Sequence, residues 1–108
     1  MSAFRRGDVV TVSRRRPIGN EIKKDRPWVV LSPDGMNEAE FTLIVAPLTR
    51  GMHPYPSRIP CTFDGAAGHI VLDQVQTMTF RGVRRRLGAI SPQALKAALA
   101  GLREMFAE

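Results

Sequence analysis

The chain ends in its clearest helix, and that helix most narrows the choice of fold. Ser91 is an N-cap residue and Pro92 suits the first helical position. Leu95, Ala98, Leu99, Leu102, Met105 and Phe106 then recur at three- and four-residue spacing, which makes one apolar stripe. Gly101 interrupts the helix at a cost of about 1 kcal/mol relative to alanine. A single stripe needs a single apolar partner, either a sheet face or a second subunit.

The residues before the helix supply short strands. Residues 8–12 are rich in β-branched side chains, residues 28–31 are apolar, and residues 41–47 form a continuous apolar run suited to a buried central strand. Residues 57–62 read as a strand that Pro60 places at an edge or bulge. A hairpin-like loop is expected from Phe63 to Gly68, a long β run over 69–79, and a short last strand over 87–90. Ser32-Pro33-Asp34-Gly35 is turn chemistry leading into a short helical turn. The basic segment 13–25, containing Arg14-Arg15-Arg16, reads as a long loop between two strands, where function often resides. The fold class is therefore mostly β with flanking helices: a small twisted sheet or barrel covered by the terminal helix.

At 108 residues the chain fits one domain, 1–108. A domain this small buries a modest share of its surface, and self-association would bury more. The net charge of +6 favours a polyanionic partner, nucleic acid or an acidic protein. The single cysteine, Cys61, allows no internal disulfide and reads as a small core residue. No apolar run is long enough to span a membrane and no secretory signal is visible, so a cytoplasmic location and no membrane partner are expected.

Familiar catalytic signatures are missing. There is no Walker loop, no Gly-x-Gly-x-x-Gly, no His-Glu-x-x-His and no Gly-x-Ser-x-Gly elbow. His53 and His69 lack partners at ligand spacing and read as ordinary loop or strand histidines, so no metal or other cofactor is expected. What remains is three clusters beside strand ends: Glu21, Lys23, Lys24, Asp25 and Arg26 before the Trp28 strand; Thr49 and Arg50 after the central strand; and Asp73-Gln74 within an apolar run. Asp73 stands among Ile70, Val71, Leu72 and Val75, where an ionised carboxylate is costly unless paired. It either takes an arginine partner such as Arg26 or caps nearby backbone. Arg84-Arg85-Arg86 is either a solvated face or a patch that tracks RNA phosphates.

Four segments in order resemble the MazF/PemK toxins of toxin–antitoxin pairs. They are Arg6-Gly7-Asp8-Val9-Val10; the stretch from Pro17 through Gly19-Asn20-Glu21 and Arg26-Pro27 to Ser32; Pro47-Leu48-Thr49 with Tyr55-Pro56; and Leu72-Asp73-Gln74 with Arg86-Leu87-Gly88 and the Ser91-Pro92 helix start. The resemblance covers nearly the whole chain. It implies an SH3-like barrel of the MazF/PemK/CcdB type, a homodimer, cleavage of single-stranded RNA, and neutralisation by a cognate acidic antitoxin. Position by position it implies Arg26 and Thr49 as catalytic, Glu21 at the RNA site, and Asp73-Gln74 as an Asp-Gln pair whose aspartate is an acid–base candidate. Lys23, Lys24 and Arg50 are expected to track phosphates, and Tyr55 to stack a base. Trp28 is expected in the core. Asp25 stands where some members have histidine, and the loop 51–54 departs from common versions. Two rivals use the same barrel: a non-enzymatic gyrase poison of the CcdB kind, and an RNA-binding module without activity.

Overall fold

The computed structural model describes residues 4–12, 26–39, 41–51 and 55–108, and Glu21, Lys23, Lys24 and His53 lie outside them. Within those residues the strands are β1 (Asp8–Val12), β2 (Pro27–Val30), β3 (Thr42–Arg50), β4 (Arg58–Phe63), β5 (Ala66–Val71), β6 (Gln76–Thr79) and β7 (Val83–Ala89). Helix α1 (Asp34–Ala39) lies between β2 and β3, and α2 (Pro92–Met105) comes last. The strands pair antiparallel in the order β4-β5-β3-β2-β1-β7, with β6 also on β3.

Alternation builds two cores from one sheet. Adjacent valines point to opposite faces: Val9 and Val29 enter one apolar cluster, while Val10 and Val30 enter the other. The first cluster lies between the sheet and α2, through Ala98, Leu95 and Leu102. The second holds Trp28 with Leu43, Val45 and Val12, joined by Phe4, Met78 and Val83. Trp28 is thus a core residue, and so is Cys61.

The terminal helix starts as its sequence dictates, with the Ser91 hydroxyl accepting from the Ala94 N–H at 3.1 Å. Gly101 has a packing reason. A Cβ there would lie 2.6 Å from Leu72 Cδ1 and 3.3 Å from Ile59 Cδ1, so the glycine lets the helix approach the sheet.

Three elements differ from the sequence expectation. The last strand begins at Val83 rather than residue 87 and includes the three arginines. It is an edge strand paired only to β1 among the described residues, so its side chains need no apolar alternation. The run 69–79 is broken by a 3-10 turn, Leu72–Gln74, which lets β5 and β6 pair with successive parts of β3. The hairpin loop shrinks to Asp64 (φ 51°) and Gly65 (φ 76°), the double left-handed turn that matches strand twist. The sheet also curls. A Cβ on Gly88 in β7 would lie 3.1 Å from the Phe63 ring at the end of β4, so the two ends of the strand order meet. No ladder joins β4 to β7 among the described residues, and the barrel is open there.

Candidate functional site

Strand β3 organises the candidate site because it pairs with three others, β2, β5 and β6. Its register with β2 runs Trp28↔Pro47, Val29↔Ala46, Val30↔Val45. Continued by two residues, that register sets Arg26 level with Thr49. Pro27 fixes the approach to β2 and biases Arg26 towards extended backbone. Arg26 is exposed, with no hydrogen-bond or ion-pair partner among the described residues.

Thr49 and Arg50 belong to β3 itself, which runs on past the apolar stretch 41–47, rather than following it. Both line a cleft of about 160 Å³ at the place where β2, β3, the β4–β5 hairpin and β7 converge, together with Pro27, Phe63, Asp64 and Leu87. Thr49 is half-buried, and its hydroxyl donates to the His69 carbonyl oxygen at 3.5 Å. Such a long bond holds the hydroxyl weakly. Arg50 is exposed at the rim. Cys61 also lines this cleft, but burial pushes its thiol up, which disfavours the thiolate a nucleophile would need.

Behind Thr49 the packing is unusually close. Gly68 on β5 pairs with Arg50, and a Cβ on it would lie 2.0 Å from the Thr49 carbonyl oxygen. His69 pairs with Thr49 itself, is 3% exposed, and places Nδ1 2.7 Å from the Gly51 carbonyl oxygen.

The Asp-Gln pair sits elsewhere. Asp73 and Gln74 fall in the 3-10 turn and are exposed, so the carboxylate is solvated rather than buried. Asp73 Oδ1 accepts from the Ser57 hydroxyl at 3.0 Å, not from Arg26. It lies four residues beyond His69, roughly 10 Å along the chain path from the Thr49 cleft. It lines a larger cleft of about 990 Å³ between β4 and α2 with Tyr55, Arg58, Gly101 and Glu104. Tyr55 is 60% exposed there, with the Arg58 guanidinium 5.2 Å above its ring. The structure therefore brings Thr49 and Arg50 together in a cleft that Pro27, the neighbour of Arg26, also lines, and puts Asp73 and Tyr55 in a second depression.

A family model described as PemK-like, MazF-like toxin of type II toxin-antitoxin system matches residues 5–106. The chain belongs to this toxin family. No protein of curated function matches it by sequence. The fold is shared with several solved structures. One is a MazE-MazF structure from Deinococcus radiodurans, at 21% identity and TM-score 0.80, covering 96% of each chain. A second is a mycobacterial endoribonuclease in complex with its cognate antitoxin, at 18% identity and TM-score 0.78, covering 94% of this chain and 93% of that one. A third is the Mycobacterium tuberculosis toxin MazF-mt6, at 16% identity and TM-score 0.71, covering 92% of this chain and 95% of that one.

In this PemK/MazF-family chain the opening Arg-Gly-Asp segment is architectural. Asp8 is 5% exposed and accepts from the Arg5 N–H at 2.8 Å and from Arg86 Nε at 2.9 Å, tying the entry turn to β7. Arg6 donates from Nε to the Leu31 carbonyl at 2.8 Å and from its backbone N–H to Asp34 Oδ1 at 2.7 Å. Ser32, which ends the apolar stretch after Arg26-Pro27, bonds the Asn37 side chain and accepts from the Ile44 N–H at 3.0 Å. Arg84 and Arg85 lie exposed on β7. From the sequence, His69 reads as an ordinary loop or strand histidine and Gly68 as the end of a hairpin-like loop, and neither is marked as part of a site. Their signal is a glycine and an imidazole inside β5, just ahead of the apolar run Ile70-Val71-Leu72.

Proposed function

We propose that this toxin is a sequence-specific endoribonuclease that cleaves single-stranded RNA without a metal ion. The observation that carries the reading is the β2/β3 register: continued past Pro27, it sets Arg26, which has no partner among the described residues, level with Thr49, whose weakly held hydroxyl lines a cleft. Two such donors from adjacent strands suit one phosphodiester. A guanidinium offers a planar fork for phosphoryl oxygens, and a hydroxyl adds a directed hydrogen bond.

The nucleophile is the RNA's own 2′-OH, so proximity is built into the substrate. Its oxygen attacks the adjacent phosphorus as its proton passes to a base. The bond to the 5′-oxygen breaks as that oxygen gains a proton. The products are a 2′,3′-cyclic phosphate and a 5′-OH end. Arg26 stabilises the charge that develops on the phosphorane, and Thr49 donates to a non-bridging oxygen. Arg50 binds a flanking phosphate, as do Lys23 and Lys24. Glu21 is preferred over Asp73 as the base, because Asp73 stands in the other cleft beside Ser57. Tyr55 and Gln74 then contact RNA at a distance from the scissile bond, with Tyr55 stacking a base.

The toxin acts as a homodimer and is neutralised by an acidic antitoxin. Exposed Phe41 and Phe106 are apolar surface that an assembly would cover. A groove of about 490 Å³ beside α2, lined by Ile44, Leu99, Leu102 and Phe106 and edged by Arg6 and Arg103, suits an acidic segment with apolar side chains. No helix among the described residues is long and apolar enough to cross a membrane.

The test is incubation with a defined single-stranded RNA and its DNA counterpart, with and without EDTA, followed by end mapping. Cleaved RNA with 5′-OH ends in EDTA and intact DNA are expected. Intact RNA, or cleavage lost in EDTA and restored by magnesium, contradicts the scheme.

A further inference from the structure

Building on the nuclease reading, we propose that His69 is the positioning residue of the Thr49 cleft. It holds the end of β3 from the buried side, so that the Thr49 hydroxyl and the Arg50 side chain meet the same stretch of RNA backbone.

Three contacts converge on this histidine. Its backbone pairs with Thr49 in the β3–β5 ladder. Its own carbonyl oxygen accepts from the Thr49 hydroxyl at 3.5 Å, which sets the direction of that hydroxyl while leaving it easy to release to a phosphate oxygen. Its ring reaches two residues further, with Nδ1 2.7 Å from the Gly51 carbonyl oxygen. A carbonyl only accepts, so Nδ1 carries the hydrogen and donates. Gly51 has φ 105°, a left-handed conformation in which the chain leaves β3. The imidazole thus fixes the carbonyl just past the end of β3, and Arg50 is held between two tethers.

The chemistry of the position points the same way. His69 is followed by Ile70, Val71 and Leu72, all buried, and is itself 3% exposed. An imidazole there costs desolvation that an aliphatic side chain would not. Gly51, at the other end of the bond, is exposed. An aliphatic side chain would therefore fill this part of the core at less cost. What it adds is a fixed strand end beside the site. Gly68 works with it: having no Cβ, it permits the close approach of the Thr49 carbonyl on which the ladder geometry depends.

The experiment compares His69→Val, His69→Asn and Thr49→Val, singly and with His69→Val combined with Thr49→Val, on a fluorescent single-stranded RNA. In His69→Asn the amide nitrogen takes the place of Nδ1 and donates to Gly51. Misplacing a catalytic group by about 1 Å can cost on the order of a hundredfold, so His69→Val is expected to lower kcat about tenfold or more, with KM within about twofold. His69→Asn restores most of the rate, and His69→Val adds little in the Thr49→Val background. Wild-type kcat in His69→Val, an unrescued His69→Asn, or a full additional loss in the double variant overturns the proposal. A second readout is independent of cleavage: backbone ¹⁵N relaxation at residues 49–51, expected to show added motion in His69→Val and wild-type values in His69→Asn. A wild-type chain that cleaves no RNA sinks the nuclease reading alone. The relaxation data then decide on His69, and unchanged order at 49–51 overturns its role.

Discussion

Replacing Gly68 by alanine tests the close approach behind the site. The added Cβ would lie 2.0 Å from the Thr49 carbonyl oxygen and 3.0 Å from its carbonyl carbon. An ordinary contact needs about 3.4 Å, so the two backbones must separate by about 1.4 Å at that point, well above the small shifts a packed interior tolerates cheaply. The obstacle is main chain, which cannot rotate away as a side chain would. Gly68 is also held on its other edge by Cys61 in β4, so β5 cannot simply retreat. Overpacking of this kind costs about 1–3 kcal/mol. A displacement of an ångström at Thr49 should lower RNA cleavage on the order of a hundredfold. Stability is read by urea denaturation and activity by cleavage of a fluorophore–quencher RNA, at a temperature where the variant is fully folded. A Gly68→Ala protein with the wild-type urea midpoint and the wild-type cleavage rate would refute the argument, because the strands would then have no need of that contact.

Gly101→Ala should destabilise the protein by about 1–3 kcal/mol in the same denaturation assay, although alanine is the better helix former, because its methyl would meet the fully buried Leu72 side chain. A gain in stability would mean that α2 does not pack as described. Ser91→Ala should cost about 1 kcal/mol through loss of the cap to Ala94. Cys61 has a thiol pushed up by burial. The folded form therefore favours the protonated thiol, and this contribution to stability is full below the ordinary thiol range and declines as pH rises through the elevated value. Urea titrations of wild type and Cys61→Ala from neutral to strongly alkaline pH should converge at the alkaline end, and a constant difference would contradict it.

Local chemistry made much of this fold legible before any coordinates. Ser91-Pro92 and the apolar stripe of α2 carry their own start signal and face. The valines of β1 and β2 and the run through β3 announce buried strands by composition. Elements that depend on neighbours were harder to read. The three arginines of β7 do not read as strand because an edge strand needs no apolar alternation, and the break at Leu72–Gln74 is hidden in a continuous β-like sequence. The candidate site follows the same division. Arg26-Pro27 and Leu48-Thr49 are visible as segments, but their alignment is a matter of register between β2 and β3, which no single segment contains. Asp73 reads as a buried carboxylate from its apolar neighbours, yet the 3-10 turn rotates it outward to Ser57. His69 stands out only as an imidazole ahead of an apolar run, because its partner, the Gly51 carbonyl, is backbone and has no sequence signature.

The most direct measurement is the cleavage rate of Arg26→Ala and of Thr49→Val on one defined RNA, with circular dichroism confirming that each is folded. If both groups hold the same scissile phosphate, Arg26→Ala should be slower by about a hundredfold or more, and the double variant should lose less than the product of the single losses. A folded Arg26→Ala protein that cleaves at close to the wild-type rate would contradict the account.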